Sequence, residues 1–357
     1  MEEKSESHHN SSNTIEIEES SLICSVDYKV DSLALFSPVQ DDFPQLLAIG
    51  GSKMEGNNWN GGLHVLKNKI EGDESSWEVF QRAYLRSGVT SVGWVEAQQQ
   101  TEPLVLAAQD SGDAVVYKLE LTGDANDCFC RPTELKEFSE HDDLISKLDI
   151  QGSSGASERF VTASWDASIK LWDLQAETQS SLQTIIGHAT IVTDVKWSPA
   201  DKDVFASTSK DQTVRIWDAR SGVEACRWGV ACAGLSLSWH PTQPASLVAG
   251  CEDGNIVVLD LRKLTEVISV EELHQGCVYA LNYSCDGRLL ASASDACSLV
   301  INSTEEASQN NLRKSVSNLH SDYIRAACWQ KRDSGAKKSV LTAGWDGTIK
   351  SSKIICT

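Results

Sequence analysis

The chain has 357 residues and a formal net charge of −20, long enough for two ordinary domains or one large repeat domain. The carboxylate excess repels phosphate backbones and argues against direct nucleic-acid binding, and no run of 18 apolar residues is present to cross a bilayer. Eleven cysteines lie scattered from Cys24 to Cys356 without paired spacing, which reads as reduced thiols in a reducing compartment. The lone Cys128–Cys130 pair lacks a second ligand pair for zinc, so neither a metal nor another cofactor is expected.

Residues 1–20 are rich in Ser, Glu, Asn and His, including His8 and His9, and read as a disordered acidic tail. Residues 1–22 hold six glutamates against one lysine, and no hydrophobic leader segment is present. A soluble, intracellular protein is therefore expected. The alternation Ile15-Glu16-Ile17-Glu18 admits one short strand. Residues 21–357 are expected to form a single repeat domain.

The repeat is clearest at Ala163-Ser164-Trp165-Asp166-Ala167-Ser168-Ile169-Lys170-Leu171-Trp172-Asp173 and at Ser207–Asp218, each read as strand, tight turn at Asp, strand, then Trp-Asp. The turn aspartate is placed at Asp110, Asp166, Asp211, Asp253, Asp295 and Asp346, in steps of 56, 45, 42, 42 and 51 residues. Aromatics at Trp94, Trp197, Trp239, Tyr283 and Trp329, and histidines at His141, His188, His274 and His320, keep the same phase. This period and these markers resemble the WD40 repeat, which implies an all-β, seven-bladed WD40 β-propeller. Six units carry markers. The seventh is the first in sequence, with strands at 46–51 and 61–66 joined by an unusually long loop, residues 52–60. The expected blades span roughly 24–72, 80–122, 139–178, 186–226, 232–266, 274–312 and 320–357. A segment near 15–30 supplies the missing strand of the last, so that the ring closes without free edges.

The His, Asp and Ser/Thr sets invite a catalytic-triad reading. They return in several blades, however, at His141/Asp166, His188/Asp211, His274/Asp295 and His320/Asp346. A network that ties turn aspartates to Trp172 and Trp217 accounts for such repetition better than a single active site. No nucleophile elbow, P-loop or zinc-protease motif occurs, and no catalytic residue is assigned. Leu259, Ile301 and Ser352 stand where the last three blades would carry the Trp. Trp165 and Trp345 directly precede turn aspartates, and Trp59 sits in the Asn/Gly-rich loop of the first blade. Aromatics so placed are candidate partner anchors. Trp217-Asp218-Ala219-Arg220 matches the W-D-x-R ending of cullin-4 ligase substrate receptors, making Arg220 a possible ligase contact.

Four collinear stretches carry a more specific resemblance: 51–67 with Trp59; 88–95 with Asp110-Ser111-Gly112; 140–144; and Gly344-Trp345-Asp346 preceded by His320-Ser321-Asp322-Tyr323. Together they resemble the methylosome WD-repeat family, propeller cofactors of the type II (symmetric) protein arginine methyltransferase. The resemblance implies a non-catalytic adaptor that docks on the methyltransferase's N-terminal barrel through Trp59. It also implies a four-to-four hetero-oligomer and basic, Arg-rich substrates such as histones and Sm proteins. Tyr323 matches a family Phe near the same contact and adds a hydroxyl. The segment 118–138 and the absence of Pro-rich termini depart from the family. The alternative is a cullin-4 ligase receptor or generic interaction scaffold, in which Arg220 rather than Trp59 carries the main contact.

Overall fold

The computed structural model describes residues 15–18, 20–37, 44–55, 58–71, 74–95, 104–119, 132–152, 159–263, 266–304, 313–330 and 337–356. The Cys128–Cys130 pair and His8–His9 lie outside them.

The described elements are all strands, arranged as seven antiparallel sheets. Blade one runs from its innermost strand Lys29–Phe36 through Leu46–Glu55 and Asn58–Glu71 to Glu74–Leu85. Blade two is Val89–Val95, Leu104–Gln109, Asp113–Lys118 and Thr133–Ser139. Blade three is Ile145–Ile150, Arg159–Ser164, Ser168–Asp173 and Gln183–Ile186. Blade four is Val192–Trp197, Val204–Ser209, Thr213–Asp218 and Val223–Gly229. Blade five is Gly234–Trp239, Ser246–Cys251, Asn255–Asp260 and Val267–Glu272. Blade six is Val278–Tyr283, Leu289–Ser294, Leu299–Ser303 and Arg313–Val316. Blade seven comprises Ile324–Trp329, Lys337–Gly344 and Thr348–Cys356. Innermost strands touch those of the next blade in order, and that of blade seven touches that of blade one. The ring is therefore a closed seven-bladed WD40 propeller.

Two N-terminal strands, Ile15–Ile17 and Ser21–Ser25, both pair with Thr348–Cys356 and form the outer edge of blade seven. The propeller thus begins at Ile15, inside the segment read from the sequence as tail. Ile15 is buried against Leu319, Trp329 and Ile354, and that burial favours the strand over solvation.

Burial follows strand order. Leu104–Gln109 is buried at every residue, whereas the outer strand Val267–Glu272 alternates half-buried with exposed. Second strands are sandwiched between neighbouring blades and need apolar side chains on both faces; outer strands face water on one side. Small residues fit where rings cross the sheet. A Cβ on Gly187 would stand 2.5 Å from the Trp217 ring, and one on Gly62 would stand 2.2 Å from the Tyr28 ring.

Neighbouring blades are tied in two ways. Indole N–H groups of Trp94, Trp239 and Trp329 donate to Ala34, Lys196 and Asn282 carbonyls of the preceding blade, at 2.8, 3.1 and 2.9 Å. Hydroxyls of Thr90, Ser146 and Thr193 each lie within hydrogen-bond reach of a carbonyl of their own second strand and of one of the next blade, at Ile145, Val192 and Gly234, and share their single hydrogen between the two.

Candidate partner-binding face

The turns between second and third strands share one end of the propeller with the loops that enter each blade. Three of these turns are held by a common network. In blade three, His141 Nδ1 lies 2.7 Å from Asp166, His141 Nε2 2.7 Å from Thr162 Oγ1, and the Trp172 indole donates to Thr162 Oγ1 at 2.9 Å. Blade four repeats it with His188–Asp211 at 2.9 Å, His188–Ser207 at 2.7 Å and Trp217–Ser207 at 2.8 Å. Blade seven has His320–Asp346 at 3.1 Å and His320–Thr342 at 2.9 Å, with buried Ser352 in the Trp place.

The proton order follows from the groups present. An ionised Asp only accepts, so His188 Nδ1 carries the hydrogen; Nε2 then accepts from Ser207, which in turn accepts from the indole. Burial lowers the pKa of His188 and His320 despite the opposing carboxylates, which keeps both rings neutral. Burial pushes Asp211 and Asp346 up, but hydrogen bonds from Thr213 and the Ala189 amide, and from the Ser321 amide and His320, outweigh it and bring both down to about 2.

Two assignments made from the sequence are corrected by register. The residue after the turn position is left-handed in blades two to seven: Gly112, Ala167, Gln212, Gly254, Cys297 and Gly347. In blade two that places Ser111, not Asp110, at the turn, and in blade six Ala296, not Asp295. His274 consequently pairs with Ser298 and Ser292 and not with Asp295. The Trp place of blade six is Asn302, opposite Leu290, rather than Ile301. Both slips arise because an Asp one residue early mimics the turn signal in sequence.

The same end carries a central depression of about 660 Å³. One residue per blade, skipped by the bulge in the first-to-second-strand ladder, contributes to its wall: Asp31, Thr90, Ser146, Thr193, Leu235, Tyr279 and Arg325. In blades two to four these are the small hydroxyls that link blades. In blades six, seven and one they are instead an aromatic phenol, a guanidinium and a carboxylate, Tyr279, Arg325 and Asp31. Arg325 lies over Tyr279 at 4.0 Å and reaches Asp31 at 3.6 Å. Asp31 also accepts from the Trp345 indole at 2.9 Å and from Ser52 at 3.1 Å. Deeper in, burial lowers Lys147 to about 8, helped by Arg325 and opposed by Asp194 and Asp31. Lys29, Lys147, Lys210 and Arg325 face Asp31, Asp110, Asp143 and Glu252 around the wall, so the chain's negative charge is not focused here.

The aromatic candidates divide. Trp165 is 47% exposed at the rim and Tyr323 40% exposed. Trp345, expected to be exposed, is half-buried: its indole is fixed on Asp31, Tyr323 stacks on its ring at 5.3 Å, and Lys29 sits 4.2 Å over it. It therefore supports Tyr323 rather than offering its own face. Trp59 does not lie in a loop. The second and third strands of blade one pair beyond the ordinary turn position through four further pairs, from Ser52–Gly61 to Glu55–Asn58, with Trp59 opposite Met54. At about 3.3 Å per residue the hairpin stands roughly 13 Å proud of the face. Met54 and Tyr84, both more than half exposed, flank it. The loop expected over residues 52–60 is thus a strand pair in the described residues, tied to the bend before the first strand by Lys53–Asp27 (3.2 Å) and across its own strands by Asn60–Glu55 (3.1 Å).

Arg220 lies at the opposite end, in the turn between third and fourth strands of blade four. It is clamped on its own Asp218 at 3.0 Å with its side chain 70% exposed. Blade five repeats this with Arg262 on Asp260 at 2.5 Å, a parallel hidden in sequence by Leu259-Asp260 replacing Trp-Asp.

Fold and repeats define the class: this is a WD-repeat β-propeller, and the family model of the WD domain, G-beta repeat, matches residues 132–173, 179–218 and 266–301. Along most of its length the chain resembles "Methylosome protein WDR77" of Xenopus laevis, with 25% identity over 308 residues, 85% of this chain and 84% of that protein. "Protein transport protein SEC13" of Phaeosphaeria nodorum is 45% identical over 91 residues, 22% of this chain and 30% of its own length. "Pre-mRNA-processing factor 17" of Homo sapiens is 27% identical over 174 residues, 48% and 29%.

Proposed function

We propose that the chain is a non-catalytic adaptor for a type II protein arginine methyltransferase, in the cytoplasm and nucleus, and that it helps present basic Arg-rich proteins such as histones or Sm proteins. The observation that carries this reading is the extended blade-one hairpin bearing Trp59, on the same face as exposed Tyr323 and Trp165, in a chain similar to a methylosome protein over 85% of its residues. A projecting hairpin whose strands are paired presents an anchor at low ordering cost. In this reading the enzyme's barrel sits over the hairpin and the Tyr323 side of the depression, and four copies of each chain assemble. The repetition of the His–Asp network in three blades supports a structural rather than catalytic role for it.

Tagged wild-type chain is used to capture partners from native lysate, with mass spectrometric identification. Recovery of a type II methyltransferase with stoichiometric yield supports the proposal. Recovery of a cullin-4 ligase instead, lost on Arg220→Ala and kept on Trp59→Ala, overturns it in favour of the ligase-receptor alternative.

A further inference from the structure

Blade five departs from its neighbours at the turn between its second and third strands. In blades three, four and seven the turn carboxylate is held by a histidine, which leans on a buried hydroxyl. In blade five the entering loop, residues 230–233, contains no histidine, Ala249 takes the place of the hydroxyl and Leu259 that of the indole. Asp253 is thereby released from the network. It is exposed, whereas Asp166, Asp211 and Asp346 are half-buried.

Two thiols stand beside it. Cys232 lies two residues ahead of the first strand and Cys251 ends the second; the matching pair in blade four is Thr190 and Ser209, hydroxyls 3.5 Å apart. The two Sγ atoms and a carboxylate oxygen of Asp253 all lie within 4.8 Å of one another.

We propose that Cys232, Cys251 and Asp253 form a three-ligand site for a thiophilic divalent cation of the zinc type, with a fourth position open at the rim of the partner-binding face. Two thiolates and a carboxylate suit such an ion, which is bound tetrahedrally with metal–ligand distances of about 2.3 Å to sulfur and 2.0 Å to oxygen. Those distances bring the three ligand atoms to roughly 3.5–4 Å from each other, so the observed cluster closes on an ion with a shift of about 1 Å or less. The carboxylate is already oriented: the Asn255 amide donates to one oxygen at 3.1 Å and its side chain to the other at 2.7 Å, the outer support that metal ligands require. Burial raises both thiol pKa values, that of Cys251 most strongly, so the thiols are protonated until the ion arrives. Binding then forms two metal–sulfur bonds and releases two protons, while the carboxylate is ionised beforehand; affinity rises with pH. Glu252, between the ligands, lines the central depression, so the site lies at the same end of the propeller. The site rests on blade geometry alone and stands or falls separately from the proposed function.

Cobalt(II) is titrated into the reduced full-length protein, with thiolate-to-cobalt charge-transfer absorption and proton release in weak buffer as readouts. One equivalent of tetrahedral cobalt and about two protons released are expected. Cys232→Ser and Cys251→Ser place at these positions the hydroxyl chemistry of blade four, so the fold persists by circular dichroism while the band disappears. Asp253→Asn weakens binding about tenfold or more, and a Cys128→Ser/Cys130→Ser double variant leaves the band intact. A wild type without the band, a band that survives Cys251→Ser, or one lost in the double variant overturns the assignment.

Discussion

Replacing Ser207 by Ala tests the central bonding chain of a blade. Ser207 is fully buried; its oxygen receives the Trp217 indole at 2.8 Å and its hydroxyl faces His188 Nε2 at 2.7 Å. Removal strands one donor and one acceptor in the interior. At about 1–3 kcal/mol for each buried unsatisfied group, the expected loss is roughly 2–6 kcal/mol, more than the lost methylene-sized volume would give. Trp217→Phe removes the stranded donor in advance, so in that background Ser207→Ala should cost about 1–2 kcal/mol less. Urea unfolding of the four members of this cycle, followed by tryptophan fluorescence and circular dichroism, measures the coupling. Additive effects, or a loss below about 0.5 kcal/mol for Ser207→Ala alone, would show that the hydroxyl is not the node linking indole and imidazole.

Acid should unfold the propeller in two stages. Burial holds His64 and His274 at about 4, below their unfolded value, so the unfolded chain binds the extra protons and stability falls as pH drops from about 6.5 to 4. Asp211 and Asp346, at about 2, contribute stability that is lost as pH falls from about 4 to 2; a melting temperature flat from pH 7 to 4 contradicts this. Deleting residues 1–25 removes both strands that cover Thr348–Cys356 and leaves an unpaired edge, so the truncated chain should melt several degrees lower, about 1–3 kcal/mol for the lost Ile15 burial alone, and self-associate in size-exclusion chromatography. Trp345→Phe keeps a ring under Tyr323 but loses the indole bond to Asp31; partner affinity should drop by a few-fold, about 1 kcal/mol, with little change in melting temperature, and an unchanged affinity speaks against Tyr323 as a contact.

Much of this architecture was legible because the repeat writes buried groups in phase. The Trp-Asp endings at Trp172 and Trp217, the histidines ahead of blades three, four, six and seven and the alternation at Ile15–Ile17 all report positions where polar atoms or strand edges must be satisfied. The register errors at Asp110 and Asp295 came from the same signal: an aspartate one place early satisfies a pattern search but not the left-handed residue that fixes the turn. The blade-one hairpin was hidden because Asn and Gly around Trp59 favour turns in isolation, whereas pairing across ten residue positions holds them in a strand. The cluster at Cys232, Cys251 and Asp253 was invisible for another reason. Its members come from an entering loop, a strand end and a turn, and only the ladder between the first two strands of blade five brings them together.

The adaptor reading meets its most direct test in the affinity of purified protein for a purified type II arginine methyltransferase, measured by calorimetry for wild type, Trp59→Ala and Arg220→Ala. An interface anchor on the projecting hairpin predicts that Trp59→Ala weakens binding by at least about 2 kcal/mol, some thirtyfold, while Arg220→Ala, on the opposite end of the propeller, leaves it unchanged. Equal affinity for wild type and Trp59→Ala, or a loss confined to Arg220→Ala, would contradict the account and move the working surface to the other face.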